Sequence, residues 1–561
     1  MNAEAGRHPS FPDSFNLADY FLFDRLHEGF AEKPAVRFGA RAYSYADVAA
    51  RTRALAAYWE RAGVPPGQRI YIVLPDSPPF AWAFFGALAA GGVVAMGNPV
   101  SPRDDLAYVL EYIRAAALVT TPAVAADLAP VLHGSRSLRS VLLVPDVATG
   151  DDPEAFCDVP APLRGAGFDA MALADIVRGD APPARGDRLT HRDDEAIWLF
   201  TSGSTGRPKA AIHTHRDFAY NTEVYAKRTV GYRAEDVTVS VPGLFFGYAT
   251  GTNLMFPFAV GATTCLFSER PTPESLAAAI AMYRPSIVTN VPTMMAKLLD
   301  HDDALRAQRQ APLDFSSIRF HLSAGEALPP PLLDRFMSRF GNHVYDGIGS
   351  AEMFHIYASN RPGDIKPGSL GRVVDGYEIR ILPTDATAPG GAEVAGGEVG
   401  VMWVRGESVA LAYHLDRDRS WETFHGAWCR TGDLFRMDEE GYLWFCGRAD
   451  SLFKVGGVFV APLEIEECLL EHGAVAMAAV IPAEEEGLVK PKAFVVCRET
   501  ARSANTGALR RELQEHVKAR LSKHKYPRWV VFMDDLPKND RGKVDKRVLI
   551  EREKAGQNPW Q

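Results

Sequence analysis

The sequence predicts an α/β fold. Three observations predict it. Short apolar runs alternate with longer helical patterns along most of the chain. The pattern changes character after residue 450. The 561-residue length exceeds what one hydrophobic core fills, so at least two domains are expected.

The first elements read as a parallel sheet. RIYIVLP (69–75), GVVAMG (92–97), ALVTT (117–121) and SVLLVP (140–145) are short, apolar and without alternation, as strands buried on both faces are. DLAYVLEYIRAA (105–116) carries the spacing of an amphipathic helix between them. The uncharged segment FAWAFFGALAAGGVVAMGNPV (80–100) is about long enough to cross a bilayer. Its Ala and Gly content and the Gly91-Gly92 break favour a buried helix followed by a buried strand. Residues 145–190, rich in Pro, Gly and Asp, read as loop, and strand AIWLF (196–200) follows. A second Pro/Gly/Ala-rich stretch, 383–397, reads as a turn between strands YEIRIL and GVMWVR. After GYLWFCGRAD (441–450) come helix 462–472, two strands, helix 507–523 and strand WVVFMDDLP, a βαββαβ-like unit of about a hundred residues that is large enough to fold alone. The domains are therefore placed at 1–449 and 450–561.

Composition narrows the function. Hydrophobic residues make up 47% and charged residues 23%, as in ordinary globular proteins. A net charge of −9 gives no electrostatic reason to expect nucleic acid or an anionic membrane. The six cysteines form no C-x-x-C pair and no zinc-like spacing with His, so they read as reduced thiols. The N-terminal stretch lacks the layout of a signal peptide. A cytoplasmic protein is expected.

The stretch 201-TSGSTGRPK-209 carries the most chemistry. Thr201, Ser202, Ser204 and Thr205 supply hydroxyls. Gly203 and Gly206 let backbone N–H groups approach an anion. Lys209 adds a point charge suited to phosphate. The loop follows an apolar strand but is not the G-x-x-x-x-G-K-[ST] P-loop. A bare G-S-T-G would be read as a surface turn.

Further motifs follow in order: 323-SAGEALP-329, 345-YDGIGSAE-352, 430-RTGD-433, 447-GRADSLFKVGGVFVAPLEIE-466 and 537-PKNDRGKVDK-546. With TSGSTGRPK, the set resembles the signatures of the adenylate-forming superfamily of acyl- and aryl-CoA ligases, luciferases and peptide-synthetase adenylation domains. EVYAKR (223–228), LFFGYATG (244–251), ERPTPE (269–274), DGIGSAEMFHIYASNRPG (346–363) and KPKAFVV (490–496) are most similar to benzoate-CoA ligases and related aryl-CoA ligases. The resemblance implies a large N-terminal domain with stacked αβ sheets and a small, mobile α+β C-terminal domain. It implies an enzyme that uses ATP, Mg²⁺, a small aromatic carboxylic acid and coenzyme A.

It also implies roles. Residues 201–206 and Lys209 would hold the ATP phosphates. Gly325, Glu326 and Ala327 would line the adenine, Asp346 would face its amino group, and Gly347 and Ile348 would lie beside it. Asp433 would accept from the ribose hydroxyls, with Arg448 assisting. Glu352 would hold Mg²⁺, a hard cation that prefers oxygen ligands. Lys543 would bridge the acyl carboxylate and the α-phosphate. Tyr225, Ala226, Phe246, Tyr248, Gly325, Ile348, Gly349, Ser350 and His355 would form the acid pocket, with the glycines leaving room for the ring. Asp450 matches the hinge, and Lys454, Gly456 and Gly457 the loop along which pantetheine would pass.

One position departs from the pattern. The family usually has Thr immediately before the metal-binding Glu, and here that residue is Ala351. Ser350 would replace its hydroxyl only if the backbone turned it inward. Open at this level are the aryl acid used, a homodimer, a separate carrier protein as the acceptor, and a regulatory relative that binds nucleotide without catalysis.

Overall fold

The computed structural model describes residues 8–179, 190–202, 207–326, 328–455, 458–485, 488–498, 501, 506–538 and 544–555. It divides into two compact units, one of residues 1–379 and 404–430, the other of residues 380–403 and 431–561.

The larger unit is a mixed α/β body built on two large sheets. In the seven-stranded sheet the order is Asp169–Ala172, Ser140–Leu143, Ala117–Thr120, Arg69–Val73, Val93–Met96, Glu195–Ser202, Pro208–Thr214. Its pairs are parallel except the last. In the nine-stranded sheet, Pro34–Phe38, Thr263–Leu266, Val237–Ser240, Ile287–Asn290, Phe320–Ser323 and His343–Gly349 run parallel, flanked by antiparallel edge strands.

The expected parallel strands and the helix Arg103–Tyr112 are present. The apolar segment is the helix Pro78–Ala89 followed by strand Val93–Met96, and both are buried. Gly86 explains how that helix packs: an added Cβ would lie 2.8 Å from the Leu55 Cβ of helix Tyr45–Arg61. Among the described residues no helix is long and apolar enough to cross a membrane.

The structure differs from the sequence expectation at 145–190. Strand Asp169–Ala172 and helix Leu173–Val177 lie inside the expected loop. They are four and five residues long, too short for a period to show, and the strand is held by register with Ser140–Leu143.

In the smaller unit, Val475–Glu485 pairs antiparallel with Leu488–Cys497, which pairs parallel with Trp529–Met533. Helices Pro462–Leu470 and Thr506–Arg520 accompany this sheet, and Val460, Ile465, Leu469, Leu513, Val517 and Val530 share one apolar cluster.

Candidate active site

Strands Glu195–Ser202 and Pro208–Thr214 are antiparallel, with Thr201 opposite Lys209 and Ser202 opposite Pro208. This pairing brings the two ends of the hydroxyl-rich loop together. Gly203, Ser204, Thr205 and Gly206 lie outside the described residues.

A second segment runs along the same strand. The Leu411 N–H donates to the Ile212 carbonyl, the Ile212 N–H to Ala412, and the His414 N–H to Ala210. Tyr413 is thereby fixed above Lys209, whose ammonium lies 3.7 Å from the ring centre. The Tyr413 hydroxyl donates to Glu352 Oε1 at 2.6 Å. The Ala410 N–H donates to the Glu352 carbonyl at 2.8 Å. Lys209, Tyr413 and Glu352 therefore form one contiguous set in which a cation and a carboxylate lie on either side of a buried phenol. Burial and the Glu352 charge both push the Tyr413 pKa up, so its proton stays on the hydroxyl.

The turn carrying Glu352 is braced from below. The His213 ring bridges two oxygens: Nδ1 lies 2.9 Å from Asp217 Oδ2 and Nε2 lies 2.6 Å from the Ala351 carbonyl oxygen. Asp217 also caps its own helix by accepting from the Thr214 N–H and hydroxyl. Ala351–Met353 is a single tight turn rather than the start of a helix, and Phe354 has φ +69°. A bulky residue there is strained, and such strain persists only where the surroundings fix it. The Ser350 hydroxyl is buried with no partner among the described residues.

Strand His343–Gly349 supplies Asp346. Its Oδ1 is buried without a partner among the described residues, and burial pushes the carboxyl up to about 8. That acceptor suits an amino group. Gly325 has φ +87°, which favours glycine. The Glu326 carboxylate is turned to Thr293, accepting from its N–H at 3.2 Å and its hydroxyl at 2.7 Å. Ala327 lies outside the described residues. Gly347 pairs with Ser359 and Ile348 with Ala358. At Gly349 an added Cβ would lie 2.4 Å from the His355 carbonyl oxygen, so backbone alone demands glycine there.

Two of the pocket candidates, Tyr225 and Tyr248, pack against His355. Its ring lies 5.8 Å from Tyr225 and 5.4 Å from Tyr248. Nε2 donates to the Tyr248 carbonyl at 3.0 Å, and burial lowers the ring pKa to about 4, so it is neutral near pH 7. His355 Nδ1 and the Tyr248 hydroxyl are buried and unpartnered among the described residues. Tyr225 and Ala226 lie on Thr222–Val230, a helix wound wider than an α-helix. Phe246 packs on Phe245 at 4.5 Å between ring centres. Asp76, which carried no motif, accepts from the Leu244 N–H at 2.7 Å and so holds the start of the Phe246 loop.

In the smaller unit Asp433 stands opposite Arg448 in an antiparallel pair, and Arg448 Nη1 donates to Asp433 Oδ1 at 3.0 Å. Asp450 lies 3.4 Å from Arg448. Lys454 is exposed on strand Phe453–Val455. Gly456, Gly457 and Lys543 lie outside the described residues. Of the described residues flanking Lys543, Lys538 and Val544 form an antiparallel bridge and the Asp545 N–H donates to the Pro537 carbonyl.

The AMP-binding enzyme family profile matches residues 23–414, and that of the AMP-binding enzyme C-terminal domain matches residues 464–543. This chain belongs to the AMP-binding enzyme family. Its membership places it in the adenylate-forming superfamily that the motifs resemble. A benzoate–CoA ligase of Thauera aromatica is 36% identical over 96% of this chain and 96% of its own length. A 4-hydroxybenzoate–CoA/benzoate–CoA ligase of Rhodopseudomonas palustris is 36% identical over 97% and 95%. The crystal structure of an anthranilate CoA ligase in complex with anthranoyl-AMP superimposes with a TM-score of 0.85 at 30% identity, over 98% of this chain and 99% of that one. Its members' fold, a large αβ domain with a small C-terminal domain, is the fold found here.

Proposed function

We propose that this protein is an ATP-dependent, AMP-forming aryl-CoA ligase acting on a benzoate-type acid. The observation that carries the reading is the Lys209–Tyr413–Glu352 set at the foot of the hydroxyl-rich loop. It offers a phosphate-binding cation and an oriented carboxylate, and Asp346, six residues before Glu352 in the chain, adds an orphaned acceptor for adenine.

The chemistry needs charge rather than a nucleophilic side chain. A carboxylate has no leaving group, so its oxygen attacks the α-phosphorus of ATP and the bond to the β-phosphate breaks. Aryl-AMP and pyrophosphate result. The CoA thiolate then attacks the carbonyl, and AMP leaves with the bonding pair. The first step gathers anions, and preorganised donors and cations offset them. Lys209 and residues 201–206 hold the β- and γ-phosphates, Ser350 donates toward the α-phosphate in place of the Thr that Ala351 replaces, and Lys543 draws the acid and α-phosphate together. Glu352 suits Mg²⁺, which takes one or two protein carboxylates alongside substrate phosphates and would offset their charge. Asp433 and Arg448 take the ribose hydroxyls.

Tyr225, Tyr248 and His355 form the wall against the aryl ring, with Ala226, Phe246 and Ile348 completing it. We place Asp450 at a hinge between an adenylating domain and a C-terminal lid, the pantetheine passing Lys454, Gly456 and Gly457. The reaction consumes ATP and CoA, which fits a cytoplasmic enzyme.

The test is pyrophosphate release with ATP and Mg²⁺ across benzoate, 2-aminobenzoate, 2- and 4-hydroxybenzoate, phenylacetate, cinnamate and a short fatty acid, each with and without CoA. Turnover on a benzoate that becomes multiple only with CoA is expected. Turnover that needs a phosphopantetheinylated carrier protein instead would move the acceptor. Silence on every acid with ATP still bound would remove the reading.

A further inference from the structure

The smaller unit holds a cluster of donor groups that the ligase reaction does not use. Cys468 lies near the end of helix Pro462–Leu470, and Glu471 follows three residues later on the same face. His516 lies on helix Thr506–Arg520, which packs against it. Cys468 Sγ, a Glu471 carboxylate oxygen and a His516 ring nitrogen all lie within 4.8 Å of one another. Cys468 is buried, His516 half-buried and Glu471 exposed, so the cluster opens to solvent on one side.

The hydrogen bonds select which His516 nitrogen is available. His516 Nε2 lies 2.9 Å from the Cys468 carbonyl oxygen, to which it donates. Nδ1 therefore carries the lone pair. The Arg520 guanidinium meets that lone pair: its Nη1 lies 3.1 Å from Nδ1, and its Nε lies 3.3 Å from Glu471 Oε2. Arg520 thus places a positive charge against two of the three donors, and its side chain is 49% exposed, so it can swing into water. His472 is committed elsewhere. Its Nδ1 accepts from the Ala474 N–H at 3.3 Å and its Nε2 lies 3.1 Å from Glu512. Its ring stands edge-on to His516 at 5.1 Å and walls the cluster.

We propose that Cys468, Glu471 and His516 form a zinc-type metal site, clamping helix Pro462–Leu470 to helix Thr506–Arg520, in which Arg520 stands in for the cation when the metal is absent. One thiolate, one imidazole and one carboxylate are the donor types that zinc takes. Bonds of about 2.0–2.3 Å in a tetrahedral site put donors about 3.3–3.8 Å apart, so closure takes a contraction of about 1 Å. Side-chain rotation supplies that at a helix end. Metal binding expels the thiol proton and moves the Arg520 guanidinium into solvent. Water, or the Glu512 carboxylate one turn before His516, fills the fourth position. The site lies outside the proposed adenylating machinery, so it stands whether or not the ligase reading does.

The experiment uses the reduced full chain, stripped of metal by a chelator that is then removed, and titrates it with Co²⁺ and then Zn²⁺. Cobalt bound to a thiolate shows a near-ultraviolet charge-transfer band, which identifies a sulfur ligand without any assay of activity. One equivalent of cobalt giving that band, displaced by zinc, is expected. Cys468→Ser abolishes the band, with circular dichroism confirming the fold. His516→Ala weakens binding at least tenfold. Arg520→Met, which removes the resident charge, tightens binding, a gain that a misfolded variant would not give. No thiolate band in the parent protein, a band that survives Cys468→Ser, or an Arg520→Met variant that binds cobalt no tighter than the parent each overturns the proposal.

Discussion

The Tyr413 hydroxyl donates to Glu352 Oε1 at 2.6 Å across 61 residues of sequence. The bond fixes one oxygen of the carboxylate and leaves the other to meet a cation. Tyr413→Phe keeps a ring against Lys209 and removes only the hydroxyl. Losing a hydrogen bond to a charged group costs about 1.5–3 kcal/mol, or roughly one to two powers of ten in kcat/KM for adenylation. Pyrophosphate release against Mg²⁺ concentration reads it, and a variant matching the parent at every Mg²⁺ level would show that the hydroxyl does not orient Glu352.

Asp346 makes a pH prediction. Its folded pKa is raised to about 8 by burial, against about 3.9 for an unfolded aspartate. Its contribution to stability is complete below about pH 4 and is lost as pH rises through about 8. Asp346→Asn flattens that part of the thermal midpoint against pH. On the proposed reading an adenine amino group would donate to the carboxylate, so ATP binding is expected to expel a proton from the parent protein below about pH 8. Calorimetry in buffers of different ionisation heat detects the release, which the Asn variant lacks.

His321 acts with the opposite sign. It is fully buried, both ring nitrogens lack partners among the described residues, and burial lowers its pKa to about 3. Its contribution is present above about pH 6.5 and is lost as pH falls toward that lowered value. His321→Leu should therefore lose less thermal stability than the parent between about pH 6.5 and pH 4.5. An identical acid profile would rule out this histidine as a source of acid lability.

Gly349→Ala pushes a Cβ to 2.4 Å from the His355 carbonyl oxygen. The contact is backbone, so the strand must move, at about 1–3 kcal/mol. Since Ser350 and Glu352 follow directly, adenylation falls along with the thermal midpoint. Loss of stability with full adenylation would separate the turn from the chemistry.

Lys543→Ala is expected to cripple adenylation yet spare thioester formation from supplied aryl-AMP. Equal loss in both half-reactions would sink its assignment to the first step.

Much of this was legible in the sequence. Strands such as Arg69–Val73 and Ser140–Leu143 show as apolar runs because both of their faces are buried. The Lys209 loop and Glu352 show as motifs because their residue types suit phosphate and metal. Tyr413 did not show. It sits in an irregular segment and acquires its meaning only by pairing with strand Pro208–Thr214. The His213 bridge to Ala351 spans 138 residues, and Asp76 reaches across 168 to Leu244. No local period encodes such contacts. Strand Asp169–Ala172 was invisible for the same reason, since its neighbour and not its composition makes it a strand.

The Pro78–Ala89 helix has a consequence for how the chain is made. Phe80, Trp82, Phe84 and Phe85 are fully buried in the finished protein. Strand Val93–Met96 beside it receives its second neighbour only with Glu195–Ser202. About 100 residues separate the two, roughly 5–20 s of ribosomal synthesis at about 5–20 residues per second. Throughout that interval an uncharged aromatic stretch waits beside an unpaired strand edge. Cooler expression or a co-produced chaperone should therefore raise the folded yield more than any ligand added after the chain is released.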